Sequence, residues 1–130
     1  MELKDSQLFK KAERITSKLL IDRLFEGEGT SSMTVFPFRV VYMRIPKKDV
    51  PVSILVSVPK KRFHNAVDRN RMKRLIREAY RRQKHILWSS MSDTDDGYAI
   101  AFICISSKLC SYQVVYKSMN KVLNRLAQEE

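Results

Sequence analysis

The spacing of hydrophobic positions changes several times along the chain, and each change marks an element. Leu20, Ile21, Leu24 and Phe25 recur at the three- and four-residue spacing of one helix face. Thr16 or Ser17 can cap that helix, and Gly27 and Gly29 stop it shortly after Glu26. From 35 to 45 the period falls to two, with Phe36, Phe38, Val40 and Tyr42 alternating with Pro37, Arg39, Val41 and Met43. This predicts a strand whose two sets face opposite sides. Pro37 has no N–H to give a ladder and belongs at an edge or a strand start. The turn Pro46-Lys47-Lys48-Asp49 leads to a second strand over 52–58, ended by Pro59.

A basic loop follows, and Asn65 then serves as the N-cap of a helix running to Lys84 or Trp88, with Asp68 well placed for the helix dipole. After a polar, acidic loop over 89–97, an almost unbroken apolar run over 98–105 reads as a strand. A last helix starts near Ser111, with Val115, Met119, Val122 and Leu126 on one face. The order helix, strand, strand, helix, strand, helix predicts an α+β fold, a small α/β sandwich with at least three strands. It is expected to form a single domain over 1–130, with loose tails at 1–8 and 128–130.

Charge sharpens this outline. Residues 60–84 hold eleven Lys/Arg and two acids, so +9 of the net charge of +11 falls in that one segment. At about 100° per residue, Met72, Leu75, Ile76, Ala79 and Gln83 form one stripe. Lys73, Lys84, Arg77, Asn70, Arg81 and Arg74 lie on an arc almost opposite. Solvated helix faces usually alternate sign at i, i+4. Here Lys73, Arg77 and Arg81 repel along one row, a repulsion that a polyanion would neutralise and water only screens. The triplet Arg69-Asn70-Arg71 is splayed around the first turns. Either it grips a concave ligand, or Arg69 or Arg71 has a structural ion-pairing role; a guanidinium fork suits phosphate, and Asn suits a base edge or sugar hydroxyl.

Other chemistry is sparse. His64 and His85 are too far apart for a local ligand pair or dyad, and Asp93, Asp95 and Asp96 lack the Gly and distal Glu of a calcium loop. Cys104 and Cys110 do not have zinc spacing and are expected as free or buried thiols in a reducing cytosol. The N-terminus has no signal-peptide core, and no apolar run approaches the roughly 20 residues of a membrane span. The expected location is therefore cytoplasmic, with no membrane partner.

The residues Ser57-Val58-Pro59-Lys60-Lys61, followed by Asn65-Ala66-Val67-Asp68-Arg69-Asn70-Arg71-Met72-Lys73-Arg74-Leu75-Ile76-Arg77-Glu78-Ala79-Tyr80-Arg81, resemble the signature of the bacterial ribonuclease P protein family. The order of elements matches from about residue 9 to 127. The resemblance implies a further short strand near 28–33 and a left-handed parallel crossover around the basic helix, against the usual right-handed rule. The fold would then be similar to the second domain of a small-subunit ribosomal protein.

It also implies that Lys60, Lys61, Arg62, Arg69, Asn70, Arg71, Lys73, Arg74, Arg77 and Arg81 contact a catalytic RNA. The cleft between the first helix and the sheet would take the 5′ leader of precursor tRNA. Phe25, Phe36, Phe38 and Tyr42 are the candidates for that cleft, since aromatic faces hold single strands. The alternative is that two of the four are core, and a one-residue slip in alignment would exchange the faces. No catalytic or metal-binding side chain is expected, because the RNA would perform hydrolysis with Mg²⁺. Two other classes fit a basic helix: a sequence-specific DNA-binding module and a ribosomal RNA-binding protein. Against the first, strands flank the helix where a short helix and tight turn would be needed. The aromatic strand favours single-strand recognition over both, and no DNA partner is expected.

Overall fold

Ser17 opens the first helix, accepting a hydrogen bond from the Leu20 amide at 3.3 Å. The helix, α1, spans Lys18–Glu26 and ends where Gly27 takes φ 81°, a left-handed conformation that glycine adopts without a Cβ penalty. The computed structural model describes Phe9 and residues 11–129, so the tail expected over 1–8 lies outside the described residues.

Four strands follow the order β1-β2-β4-β3 in one sheet. They are β1 Ser31–Val35, β2 Phe38–Pro46, β3 Val52–Ser57 and β4 Asp96–Cys104. The single strand expected over 35–45 is divided. Val35 belongs to β1, and the chain reverses at Phe36-Pro37, so Val35 pairs with Phe38 and Met33 with Val40. Pro37 sits in this turn, where no N–H is required, and its carbonyl accepts from the Ile105 amide at 2.9 Å. The extra strand implied near 28–33 is β1, displaced a few residues toward the C-terminus. β4 pairs antiparallel with β2 and parallel with β3. Gly97 lies where the first ladder residues meet the 51–52 corner; an added Cβ there would stand 2.4 Å from the Pro51 carbonyl oxygen.

The parallel β3–β4 pair is joined through α2 Ala66–Gln83 and the short α3 His85–Trp88; α4 Tyr112–Gln128 ends the fold. Asn65 and Ser111 cap α2 and α4, accepting from the Val67 and Val114 amides. Side-chain alternation gives the sheet two different faces. Phe38, Val40, Tyr42, Ile54, Ile100 and Phe102 point into the thicker layer with Met72, Ile76, Ala79 and Tyr80 of α2 and Val115, Met119, Val122 and Leu126 of α4. Val41, Met43, Ala99 and Ala101 point the other way, under Ile15 and Leu24. The two alanines leave room for α1 to lie close.

The outer edge of β3 is not bare. The Ile15 amide donates to the Ile54 carbonyl at 2.9 Å, and the Ser53 hydroxyl donates to the Ala12 carbonyl. The same N-terminal segment enters the core through Glu13, which is fully buried and bonded to the buried Lys84 ammonium at 2.9 and 3.1 Å. Lys84 also lies over the Trp88 ring, 4.5 Å from its centroid. At the other end, α4 continues through Gln128, and Glu129 accepts from the Tyr42 hydroxyl at 2.8 Å. The stretch from 128 is therefore tied to the sheet rather than loose up to Glu129.

Candidate RNA-binding surfaces

The α2 stripe is where the period places it: Met72, Ile76 and Ala79 are fully buried, and so is Tyr80. Gln83, the polar member, is satisfied by donating to the Ala79 and Tyr116 carbonyls and accepting from Asn120. The opposite arc is smaller than expected. Lys84 leaves it for the buried pair with Glu13. Arg81 bonds Glu78 through Nε at 3.1 Å and again through Nη2, and Arg82 reaches the same carboxylate at 2.9 Å. The Arg81 bond, opposed by some desolvation, holds the Glu78 carboxyl below its ordinary pKa.

Lys73, Arg74 and Arg77 remain without a carboxylate partner among the described residues. They line a cleft of about 400 Å³ with Asn70, Glu78, Arg81, Phe9 and Arg14. Arg14 is the addition that sequence reasoning missed. It is remote in sequence and is brought to α2 by the bridge of the N-terminal segment to β3; no local periodicity announces it. Arg77's pKa falls below the ordinary arginine value, first through desolvation and second through the charge of Arg14. Two guanidinium groups are thus held near enough to repel, which makes the cleft a place for a shared anion.

The triplet divides as its splay requires. Asn70 lines the cleft, and Arg71 is exposed outside it. Arg69 turns back, its Nη1 donating to the Phe63 and His64 carbonyls at 2.8 and 3.0 Å. Arg69 therefore staples the basic loop to the start of α2, a structural role carried by carbonyls where an ion pair had been considered. The loop is further anchored by buried Phe63 and by the Arg62 amide, which donates to the Pro59 carbonyl, and it displays Lys60 and Lys61 to solvent.

On the other side of the sheet, a groove of about 290 Å³ opens between α1 and the strands. It is lined by Leu24, Phe25, Gly27, Thr30, Ser32, Arg39, Val41 and Ile103. Phe25 is there and is 53% exposed. The other three aromatic candidates are not. Phe38 is fully buried on the opposite face, edge-on to Phe102 at 5.8 Å. Tyr42 shares that face, edge-on to Tyr98, with its hydroxyl on Glu129. Phe36 is exposed at the hairpin turn, but its carbonyl accepts from Ser118 of α4. The alternation holds from Phe38 to Met43 with the side inverted: bulky rings fill the thick helical layer, and Arg39 and Val41 face α1.

A sequence model of the family described as Ribonuclease P matches residues 9–127. The chain belongs to the ribonuclease P protein family. It is 43% identical over 118 residues to the ribonuclease P protein component of Porphyromonas gingivalis, covering 90% of this chain and 85% of that one. Among solved structures, the RNase P protein of Staphylococcus aureus is 25% identical with a TM-score of 0.63, covering 88% and 95% of the two chains. The RNase P protein of Thermotoga maritima has the same fold, with a TM-score of 0.64 at 23% identity, over 87% of this chain and 96% of that one.

As a ribonuclease P protein, the chain adds few other candidate groups to these surfaces. His64 and His85 are exposed and separate, and Asp96 lies on β4 beside Arg44 at 4.0 Å. Cys104 is buried and its thiol pKa is raised by burial, whereas Cys110 is half-buried; both are free thiols. Among the described residues no three His, Cys, Asp or Glu side chains gather as a metal site, and no helix is long and apolar enough to cross a membrane.

Proposed function

We propose that this chain, a protein component of ribonuclease P in tRNA 5′ maturation, holds the catalytic RNA along α2 and the 5′ leader of precursor tRNA under α1. The observation that carries the reading is the cleft in which Lys73, Arg74 and Arg77, unpaired with carboxylates among the described residues, meet Arg14. A phosphate backbone supplies the charge that these four cations lack. Hydrolysis of the phosphodiester belongs to the RNA, and Mg²⁺ is held by RNA phosphates. The chain's own work is affinity and placement in the cytoplasm: cations fix the RNA, and the groove on the far side of the sheet receives a single strand.

In the experiment, Arg14→Ala, Arg74→Ala and Arg77→Ala are titrated against the cognate RNA over a range of salt, with cleavage of precursor tRNA followed in parallel. Each variant should bind more weakly and lower the magnitude of the salt slope by roughly 0.7–0.9, the increment for one phosphate contact. RNA-free protein should leave precursor tRNA intact. Unchanged slopes in all three variants, or cleavage by RNA-free protein, would overturn the reading.

A further inference from the structure

The charge balance of the whole chain conceals a second basic helix. Between Gly97 and Gln128 there is no aspartate or glutamate. Within that stretch α4 places Lys117, Lys121 and Arg125 four residues apart, all exposed, while Val115, Met119, Val122 and Leu126 are buried. Like charges at i, i+4 destabilise a helix unless something offsets them. No acid on α4 does so, as none pairs with Lys73 or Arg77 on α2 among the described residues.

Aromatic rings stand at the start of this row. Tyr112 and Tyr116 are one turn apart, with centroids at 5.8 Å and planes at 55°. With Gln113 and Lys117 they form an open cavity of about 290 Å³, and Tyr116 is 39% exposed. Arg82, from the last turn of α2, lies 5.9 Å from the centre of the Tyr112 ring. The Tyr112 hydroxyl is buried with no hydrogen-bond partner among the described residues, so this position uses the ring and not the phenol. A pair of rings with a cation on each side, continued by a row of cations, is the composition of a single-strand platform: π-faces for bases and charges for phosphates.

We propose that α4 carries a second RNA-binding surface, taking a single-stranded segment whose base stacks on Tyr116 and whose phosphates follow Lys117, Lys121 and Arg125. The row spans about 12 Å at ~1.5 Å per residue, enough for a short run of nucleotides. A second copy of this chain suits the face less well, because it would bring another +11 charge against a helix that carries no acid. The proposal rests on the reading of the protein as an RNA-binding subunit, but uses neither the α2 cleft nor the α1 groove.

The full chain is titrated with a fluorescent oligouridylate, and a 4-thiouridine-substituted copy is crosslinked and mapped by peptide mass spectrometry. Tyr116→Leu should weaken binding about fivefold or more, the lower bound for loss of one stacked base, and Tyr116→Phe should restore it. Tyr116 meets Gln83 through its main-chain carbonyl, so these variants keep that contact. Lys117→Gln and Lys121→Gln should each lower the salt slope by about 0.7, and a crosslink should map to the peptide containing Tyr116.

Arg74→Ala is the comparison on α2. If it weakens RNA binding while every α4 variant keeps affinity, slope and crosslinks, the α4 surface is refuted and the α2 reading stands. If Arg74→Ala and the other α2 variants also leave affinity for the cognate RNA unchanged, the RNA reading fails and this proposal with it. Sedimentation at rising concentration completes the set: self-association abolished by Tyr116→Leu, with oligouridylate affinity unaltered, would make the face a protein interface and overturn the proposal.

Discussion

Phe25 and Arg39 give the α1 groove what a single strand requires, an open ring and a cation on the facing strand. Phe25→Ala should cost about 1–3 kcal/mol of affinity for precursor tRNA, the range for a stacked base, and Arg39→Ala should reduce the salt dependence of the same interaction. Both effects should vanish with mature tRNA, which lacks the leader. Phe38 separates this from mere loss of packing. Phe38→Ala should lower stability by ~3–5 kcal/mol, as large core truncations do, and leave the precursor-to-mature ratio unchanged. A normal melt with an altered ratio would return Phe38 to the groove.

Tyr42 makes a further prediction at this scale. Burial first, and then the bond to Glu129, push its pKa up to about 12 from an ordinary 10.0. The folded state thus holds the proton more tightly than the unfolded chain. The stabilisation is complete below pH 10 and is lost as pH rises through about 12. Alkaline melts of wild type should decline over that window, and Tyr42→Phe should flatten part of the decline. Equal slopes for both proteins would remove Tyr42 from the account.

At the level of elements, the helices were legible and one hairpin was not. Ser17, Asn65 and Ser111 mark three helix starts by side-chain chemistry, and the apolar periods after them are long enough to establish the helical faces. β1 is short and reads Ser-Ser-Met-Thr-Val, mostly polar because it is a sheet edge. Nothing in its own residues separates it from a loop. Phe36-Pro37 then looks like more of the same strand, since a turn with an aromatic residue preserves the alternation. The site was legible on α2, where the cations are contiguous, and illegible where distant segments meet. Arg14 reaches the cleft through the bridge to β3, and Lys84 leaves the arc through its pair with Glu13, the neighbour of Arg14, both contacts between residues far apart in sequence.

The Glu13–Lys84 pair can be tested as an element-level coupling. Glu13→Ala strands a buried ammonium and should cost about 3–5 kcal/mol, whereas Glu13→Leu with Lys84→Met should recover most of the loss. If the pair holds the N-terminal segment on β3, Glu13→Ala should also loosen Arg14 and weaken catalytic-RNA binding. Rapid amide exchange at Ile15, measured against a stable α4, is the expected signature. An Ile15 amide as protected in Glu13→Ala as in wild type would show that the β3 bridge stands without the pair.

For the molecule as a whole, the sheet is a partition between two chemistries. Cations crowd the helical side, where α2 and α4 lie next to each other, and the α1 side offers a narrower channel with one exposed ring. Because β4 runs between β2 and β3, these two sides exist only once residues 96–104 are in place. As the chain is made from its N-terminus, β3 and the whole of α2 emerge before the strand that joins β3 to the β1–β2 hairpin. Such non-local pairing is slow to form because loop-closure entropy must be met first. The basic helix therefore leaves the ribosome ahead of the strand that completes its sheet, and the geometry of its cationic face is a late product of synthesis.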